Sequence, residues 1–331
     1  MRTHLVLVPL LLAPSLARAQ APTQGDVFVL DGSNDAVVRV DPDAYSAGSP
    51  PSNQTLVTSG NLLSSPFDVA IGDGALFITD RGLGGIVRVD LATANQSQVP
   101  VNVGGTPFAL DPRGIAIDAQ GRLLVLEGDL FTIVRIDPVT GAVADLTPSI
   151  FFGGLAYIDL GPGDAIFVTE TDGTIVRVLP QTQQRQTVGS VLGAQGLVVD
   201  DQTGLIYVAD SSDDVVVRID PAAYEPGNPA ANRQLVSDDP LLTNPADIGL
   251  LPDGDLVVTN SSGGNVEMVR IEVASGAATT VAMGGDLTAP TGLAVVVPEF
   301  HAPAAGVLAL ATLAALRRPE EVVRGAPRRT S

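Results

Sequence analysis

The stretch AQGLVVDDQTGLIYVADSSDDVVVRIDPAAY, residues 194–224, decides the fold. It contains three apolar, β-branched runs: AQGLVV from Ala194, LIYVAD ending at Asp210, and Val216-Val217-Arg218-Ile219. Turn-forming residues separate the runs, and short runs of this kind joined by tight turns read as neighbouring antiparallel strands. Asp220-Pro221 ends the third run, because proline has no N–H to give to a ladder. The stretch PRGIAIDAQGRLLVLEGDLFTIVRIDPVTG, residues 112–141, has the same order of parts.

Working outward, the unit recurs along the chain. Its clearest marker is the arginine of the third run: Arg39, Arg88, Arg135, Arg177, Arg218 and Arg270, spaced 49, 47, 42, 41 and 52 residues apart. The second run ends each time in an acid or amide: Asp31, Asp80, Glu127, Glu170, Asp210 and Asn260. The first run reads PFDVAI at 66, PRGIAI at 112, GGLAYI at 153, AQGLVV at 194 and PADIGL at 245. Turns such as Gly72-Asp73-Gly74, Asp118-Ala119-Gln120-Gly121 and Pro252-Asp253-Gly254 join the first run to the second. A looser fourth run follows, for example Gln98 to Val103. Four strands at a period of about 40–50 residues make a propeller blade.

The two ends of the repeat fix the blade count. The first unit begins at its second strand, Gly25-Asp26-Val27-Phe28-Val29, and an orphan opening strand, Pro290-Thr291-Gly292-Leu293-Ala294-Val295, stands at the other end. Five whole units and two halves predict an all-β, six-bladed β-propeller over 25–297, closed by pairing around Leu293 and Phe28. Closure removes two unpaired edges that otherwise invite aggregation.

The strings at 112–141 and 194–224 resemble the NHL repeat and its relatives in the SMP-30/gluconolactonase-like propeller superfamily. That resemblance implies a propeller and, in its metal-dependent hydrolases, a Glu/Asn/Asp ligand set. This chain has no clear Glu on the first blade's opening strand. Residues 1–19 read as a secretory signal: Arg2, an apolar run Leu5–Leu12 and Ala17-Arg18-Ala19 before Gln20. At the other end, 298–331 carries Pro298-Glu299-Phe300, an apolar stretch 302–316 and Arg317-Arg318. This order resembles the PEP-CTERM sorting tail of Gram-negative bacteria, with Phe300 in place of a second proline and 13 residues beyond Arg318. The resemblance implies export, a hydrophobic C-terminal helix as the sole membrane contact, and the cell surface or extracellular matrix as destination.

Composition excludes several chemistries. All 18 basic residues are Arg. Seven of them lie at the termini, leaving 11 against 35 acids between residues 20 and 316, a charge of −24. Such a field repels nucleic acid and anionic lipid. Without cysteine there are no disulfides, thiolate nucleophiles or Cys-held metals. The only histidines, His4 and His301, lie in the signal and the tail, so the propeller has no imidazole for acid–base work.

Two sets of site residues stand out. The strand-end acids recur in every blade, including Asp80 and Asp210. They read either as an oxygen ring around one channel mouth or as loop caps and partners of the repeated Arg. Departures from the repeat say more: the opening strand has Gly at Gly114, Gly196 and Gly292, but Asp at Asp68 and Asp247. Asp68 and Asp247, with Asn244, Asp80 and Asp210, are the candidates for a ligand; the plainer reading is that each aspartate caps its own turn. Asp68 and Asp247 are also the candidates for a metal, for which Ca²⁺ suits an all-oxygen set. Arg81, Arg113 and Arg185 lie off the repeat and read first as solvated loop arginines, with an anionic group as the alternative partner. The sequence therefore predicts a non-catalytic surface scaffold that binds an extracellular protein, polysaccharide or small molecule. The alternative is a Ca²⁺-dependent hydrolase of the lactonase type.

Overall fold

The structure is a computed structural model that describes residues 21–297 except Phe108, Ser149, Phe151 and 262–266. The signal and the sorting tail predicted at 1–19 and 298–331 lie outside the described residues. Within them, no helix is long and apolar enough to cross a membrane.

Six four-stranded antiparallel sheets form the blades. Blade 1 is Pro290–Val295, Val27–Asp31, Ala36–Val40 and Gln54–Ser59, from the inner strand outward. Blades 2 to 6 follow in chain order, with inner strands Pro66–Gly72, Pro112–Ile117, Ile158–Gly161, Ala194–Val199 and Pro245–Leu250. The predicted closure is present: Val27 pairs with Val295, Phe28 with Ala294 and Val29 with Leu293.

The packing explains why the second strands read as unbroken apolar runs. In Val27–Asp31, Val27 and Val29 join the cluster shared with blade 6, while Phe28 and Leu30 join the one shared with blade 2. Each middle strand is therefore buried on both faces, and a period-2 polar face has no place. Six such clusters fill the interfaces around the ring.

Two sequence readings need correction. The fourth strand of blade 2 is Gln96–Gln98, short of the predicted Gln98–Val103; beyond Pro100 the chain turns into a small ribbon, Asn102–Val103 against Thr106–Pro107. Proline has no N–H for the ladder, which ends there. In blade 4 the repeat aligns two residues later than the string GGLAYI suggests. Ile158 faces Val168 as Ile115 faces Val125 in blade 3, which puts Tyr157 level with Gly114. A shift of two keeps every side chain on its face while changing its depth.

The Asp220-Pro221 turn behaves as read, and Asp41-Pro42 repeats it in blade 1. Asp41 and Asp220 cap short 3₁₀ turns by accepting from Asp43 N and Ala222 N. The loops they open end at Asn53 and Asn232, both buried. Each donates to a carbonyl of the preceding blade, Val281 and Val188 respectively, and so ties two blades together.

Candidate functional site at the channel mouth

An inner strand pairs with its own blade on one edge only. The other edge faces the channel, where its N–H groups need acceptors. Three aspartates supply them. Asp68 accepts from Val69 N on its own strand (2.8 Å) and from Ile115 N of blade 3 (2.9 Å). Asp159 accepts from Leu160 N and from Val199 N of blade 5, both at 2.8 Å. Asp247 accepts from Ile248 N (2.9 Å) and from Leu293 N of blade 1 (2.7 Å). One N–H from each of the six inner strands is thus satisfied, and the carboxylates tie blade 2 to 3, 4 to 5 and 6 to 1.

The remaining interfaces close differently. A Cβ on Gly292 would lie 2.8 Å from Asp68 Cα, one on Gly114 2.9 Å from Tyr157 Cα, and one on Gly196 2.7 Å from Asp247 Cα. Blades 1 and 2, 3 and 4, and 5 and 6 therefore meet backbone to backbone. Only glycine permits that approach.

The even blades carry a second shared feature. A register shift before Asp68 and before Asp247 frees their N–H groups, which donate to the hydroxyls of Thr79 and Thr259 at 3.1 Å. In blade 4 Tyr157 N donates to Thr169 in the same way, also at 3.1 Å. All three threonines are fully buried.

Burial dominates the electrostatics. It pushes the Asp159 carboxyl up to about 7. Burial also raises Asp68 and Asp247, and the negative charge of Asp68 adds to the rise at Asp247. The Tyr157 phenol is raised as well, first by burial and then by Asp247 and Asp68. Desolvation and mutual repulsion thus oppose full ionisation of the trio.

The structure brings Asp68 and Asp247 together as one electrostatic unit, and adds Asp159 and Tyr157, which sequence reasoning missed. Asn244 is not part of it. Its side chain is exposed and donates to Ser261 Oγ, and its N–H donates to Asp214. Asp80 and Asp210 are fully buried and cap loops: Asp80 accepts from Ser64 N, Ser65 N and Leu83 N, Asp210 from Ser212 N and Asp213 N.

The pairing of strand-end acids with the repeated Arg also needs correction. Arg39 sits beside Phe28, three residues short of Asp31 and so about 10 Å away along the strand. It pairs with Asp26, while Arg88 pairs with Asp90 and Arg270 with Asp43, Asp253 and Asp255. Glu170 and Asp210 take Arg185 and Arg233 from fourth strands. Arg81 and Arg113 share one carboxylate, Asp111, at 3.6 and 3.2 Å.

Ca²⁺ does not fit the candidates well. Both Asp68 and Asp247 already spend an oxygen on each of two backbone N–H groups. Among the described residues, no group of three acidic or histidine side chains gathers as a metal site.

Where blades 2 to 5 open their inner strands lies an open cleft of about 320 Å³. Its lining includes Phe67, Arg113, Leu155, Tyr157, Leu192 and Gln195. The Phe67 and Tyr157 rings meet tilted by 31° with centroids 5.3 Å apart, and the Arg81 guanidinium lies over the Phe67 ring at 5.9 Å.

No protein-family model matches the sequence, and no curated protein resembles it closely enough to stand as a relative. Solved structures do resemble it in shape. The crystal structure of a nidogen/laminin complex matches with a TM-score of 0.63 at 14% identity, covering 81% of this chain and 97% of that one. A streptogramin B lyase matches at 0.56 and 13%, covering 84% and 88%. A catalytically inactive virginiamycin B lyase from Staphylococcus aureus with quinupristin matches at 0.56 and 13%, covering 81% and 87%. At such identities the likeness shows the fold alone: the chain is a six-bladed β-propeller.

Proposed function

We propose that this protein is an exported, surface-associated binding scaffold that holds its ligand at the channel mouth and does not transform it. The observation that carries this reading is the cleft over blades 2 to 5, where aromatic, aliphatic, hydroxyl and guanidinium groups converge on a rigid ring. Ligand sites are typically concave, apolar and set with a few polar groups. The structural neighbours include a propeller solved in complex with a protein, which supports a binding role by analogy of fold. Export and surface sorting rest on the signal-like 1–19 and the PEP-CTERM-like 298–331 segments, and the NHL-like repeat is part of the same reading.

The second reading is a Ca²⁺-dependent lactonase-type hydrolase. A lyase among the neighbours and the buried Asp68–Asp247 pair favour it. Against it, the carboxylate oxygens are already engaged by backbone N–H groups.

One experiment separates the two. The full chain is incubated with a panel of lactones with and without Ca²⁺. The scaffold reading expects no turnover. Ca²⁺-dependent turnover that vanishes in Asp247→Asn would replace it with the hydrolase. Protease shaving of host cells, with mass spectrometry of the released termini, tests surface display. Protein confined to the cytoplasm would refute export.

A further inference from the structure

We propose that the cleft at the channel mouth takes a small amphiphilic carboxylate, with its apolar body against Phe67 and Leu192 and its carboxylate on Arg113. This deepens the binding reading and rests on it.

The charge balance at the mouth points to an anion. Among the described residues, Arg113 is the single charged side chain that lines the cleft, and no carboxylate does. Arg113 and Arg81 share Asp111, so two guanidiniums face one acid in a propeller whose net charge is strongly negative. A guanidinium offers a planar fork that matches a carboxylate. Arg113 keeps 28% of its side chain exposed, which leaves donor groups open to a ligand. The carboxyls of Asp68, Asp159 and Asp247, none of which lines the cleft, are shifted toward their neutral forms, so they repel an anion less than three free carboxylates would.

The apolar part follows from shape. Leu192 is 81% exposed although it borders a cleft, while Leu155 is buried beside it. A large aliphatic side chain open to solvent at a concave site gains by being covered. The Phe67–Tyr157 pair adds an aromatic wall suited to a flat ring. Gln195, Ser211 and Ser212 supply hydrogen-bonding groups at the rim.

The test is calorimetry on the full chain with 3-phenylpropionate and its neutral analogue 3-phenylpropanamide. The acid is expected to bind at least about tenfold more tightly than the amide, a difference of about 1.4 kcal/mol. Arg113→Gln, with an unchanged melting temperature, should abolish that preference, and Leu192→Ser should weaken both probes. Arg218→Gln, on a strand away from the cleft, serves as the control for net charge and should leave both affinities unchanged. Equal binding of acid and amide, binding of neither, or a preference that survives Arg113→Gln overturns the proposal. Silent calorimetry sinks only this ligand class, whereas Ca²⁺-dependent lactone turnover sinks the scaffold reading itself.

Discussion

The odd and even blades share a sheet topology but line the channel with different chemistry. At the level of Asp68 the even blades carry Asp68, Tyr157 and Asp247, each backed by a buried threonine hydroxyl. The odd blades carry Gly292, Gly114 and Gly196 at that level, with Leu30, Leu126 and Ala209 in place of the threonines. The difference shows that the ring is built from three double blades. A carboxylate has two oxygens, so three aspartates suffice for six edge N–H groups. An aspartate in every blade would crowd like charges into one narrow ring and remove the glycines that let neighbouring backbones touch.

The strongest way to break this alternation is to give an odd blade a side chain. A Cβ at Gly114 meets only backbone, with Ile158 N and Tyr157 Cα at 2.9 Å and Ala156 O at 3.1 Å. Nothing there can rotate away. Gly114→Val is expected to cost about 3 kcal/mol by forcing blades 3 and 4 apart. The urea midpoint measures this, and an unchanged midpoint would show that the ring yields freely at the glycine positions.

The next largest effect is on pH dependence, and its sign is unusual. An unfolded aspartate releases its proton near 3.9, whereas folded Asp159 keeps it to about 7. Between those values the native state binds more protons, so the contribution of the trio to stability falls as pH rises. The turn residues Asp90, Asp137 and Asp172 are lowered by hydrogen bonds to their own turns, and their contribution is lost only as pH falls below the ordinary carboxylate range. Stability should therefore decline from about pH 5 to pH 8 by on the order of 2 kcal/mol, allowing for water in the channel. Denaturation curves across that range check it, and Asp159→Asn should flatten the slope. A midpoint that climbs with pH in the parent protein would contradict the assigned burial.

The sequence carries the fold and only half of the site. Blade count and closure were legible because the Arg-marked strand and the orphan strand at Pro290 are long-range patterns that local irregularity cannot hide. Asp68 and Asp247 were legible as departures from glycine. Asp159 was not, because GGLAYI looks like a first strand and its true register lies two residues on. Its signal is present all the same: Asp159 occupies a position filled by Ala70, Ala116, Val198, Gly249 and Ala294 in the other blades. Thr79, Thr169 and Thr259, each 90 residues from the next, also mark the double-blade period. Asn244 misled because a polar residue beside Asp247 in sequence projects onto the loop surface, outside the channel. The cleft was not legible at all, since its walls come from strand ends and loops of four blades far apart in sequence.

The smallest expected effect isolates the threonines. Thr79→Val keeps volume and shape but leaves the N–H of Asp68 buried without an acceptor, a loss of about 1–2 kcal/mol. At the matching position of an odd blade, Leu126 is a member of the apolar cluster between blades 3 and 4. Leu126→Met, which also conserves volume, should cost less than about 1 kcal/mol. Thr79→Ser restores the acceptor and should recover most of the loss, which a valine of ordinary packing cost would not predict. Equilibrium unfolding of the three variants decides the matter. If Thr79→Val and Leu126→Met cost the same, the hydroxyl is incidental, and the even blades differ from the odd ones only in their aspartate and tyrosine side chains.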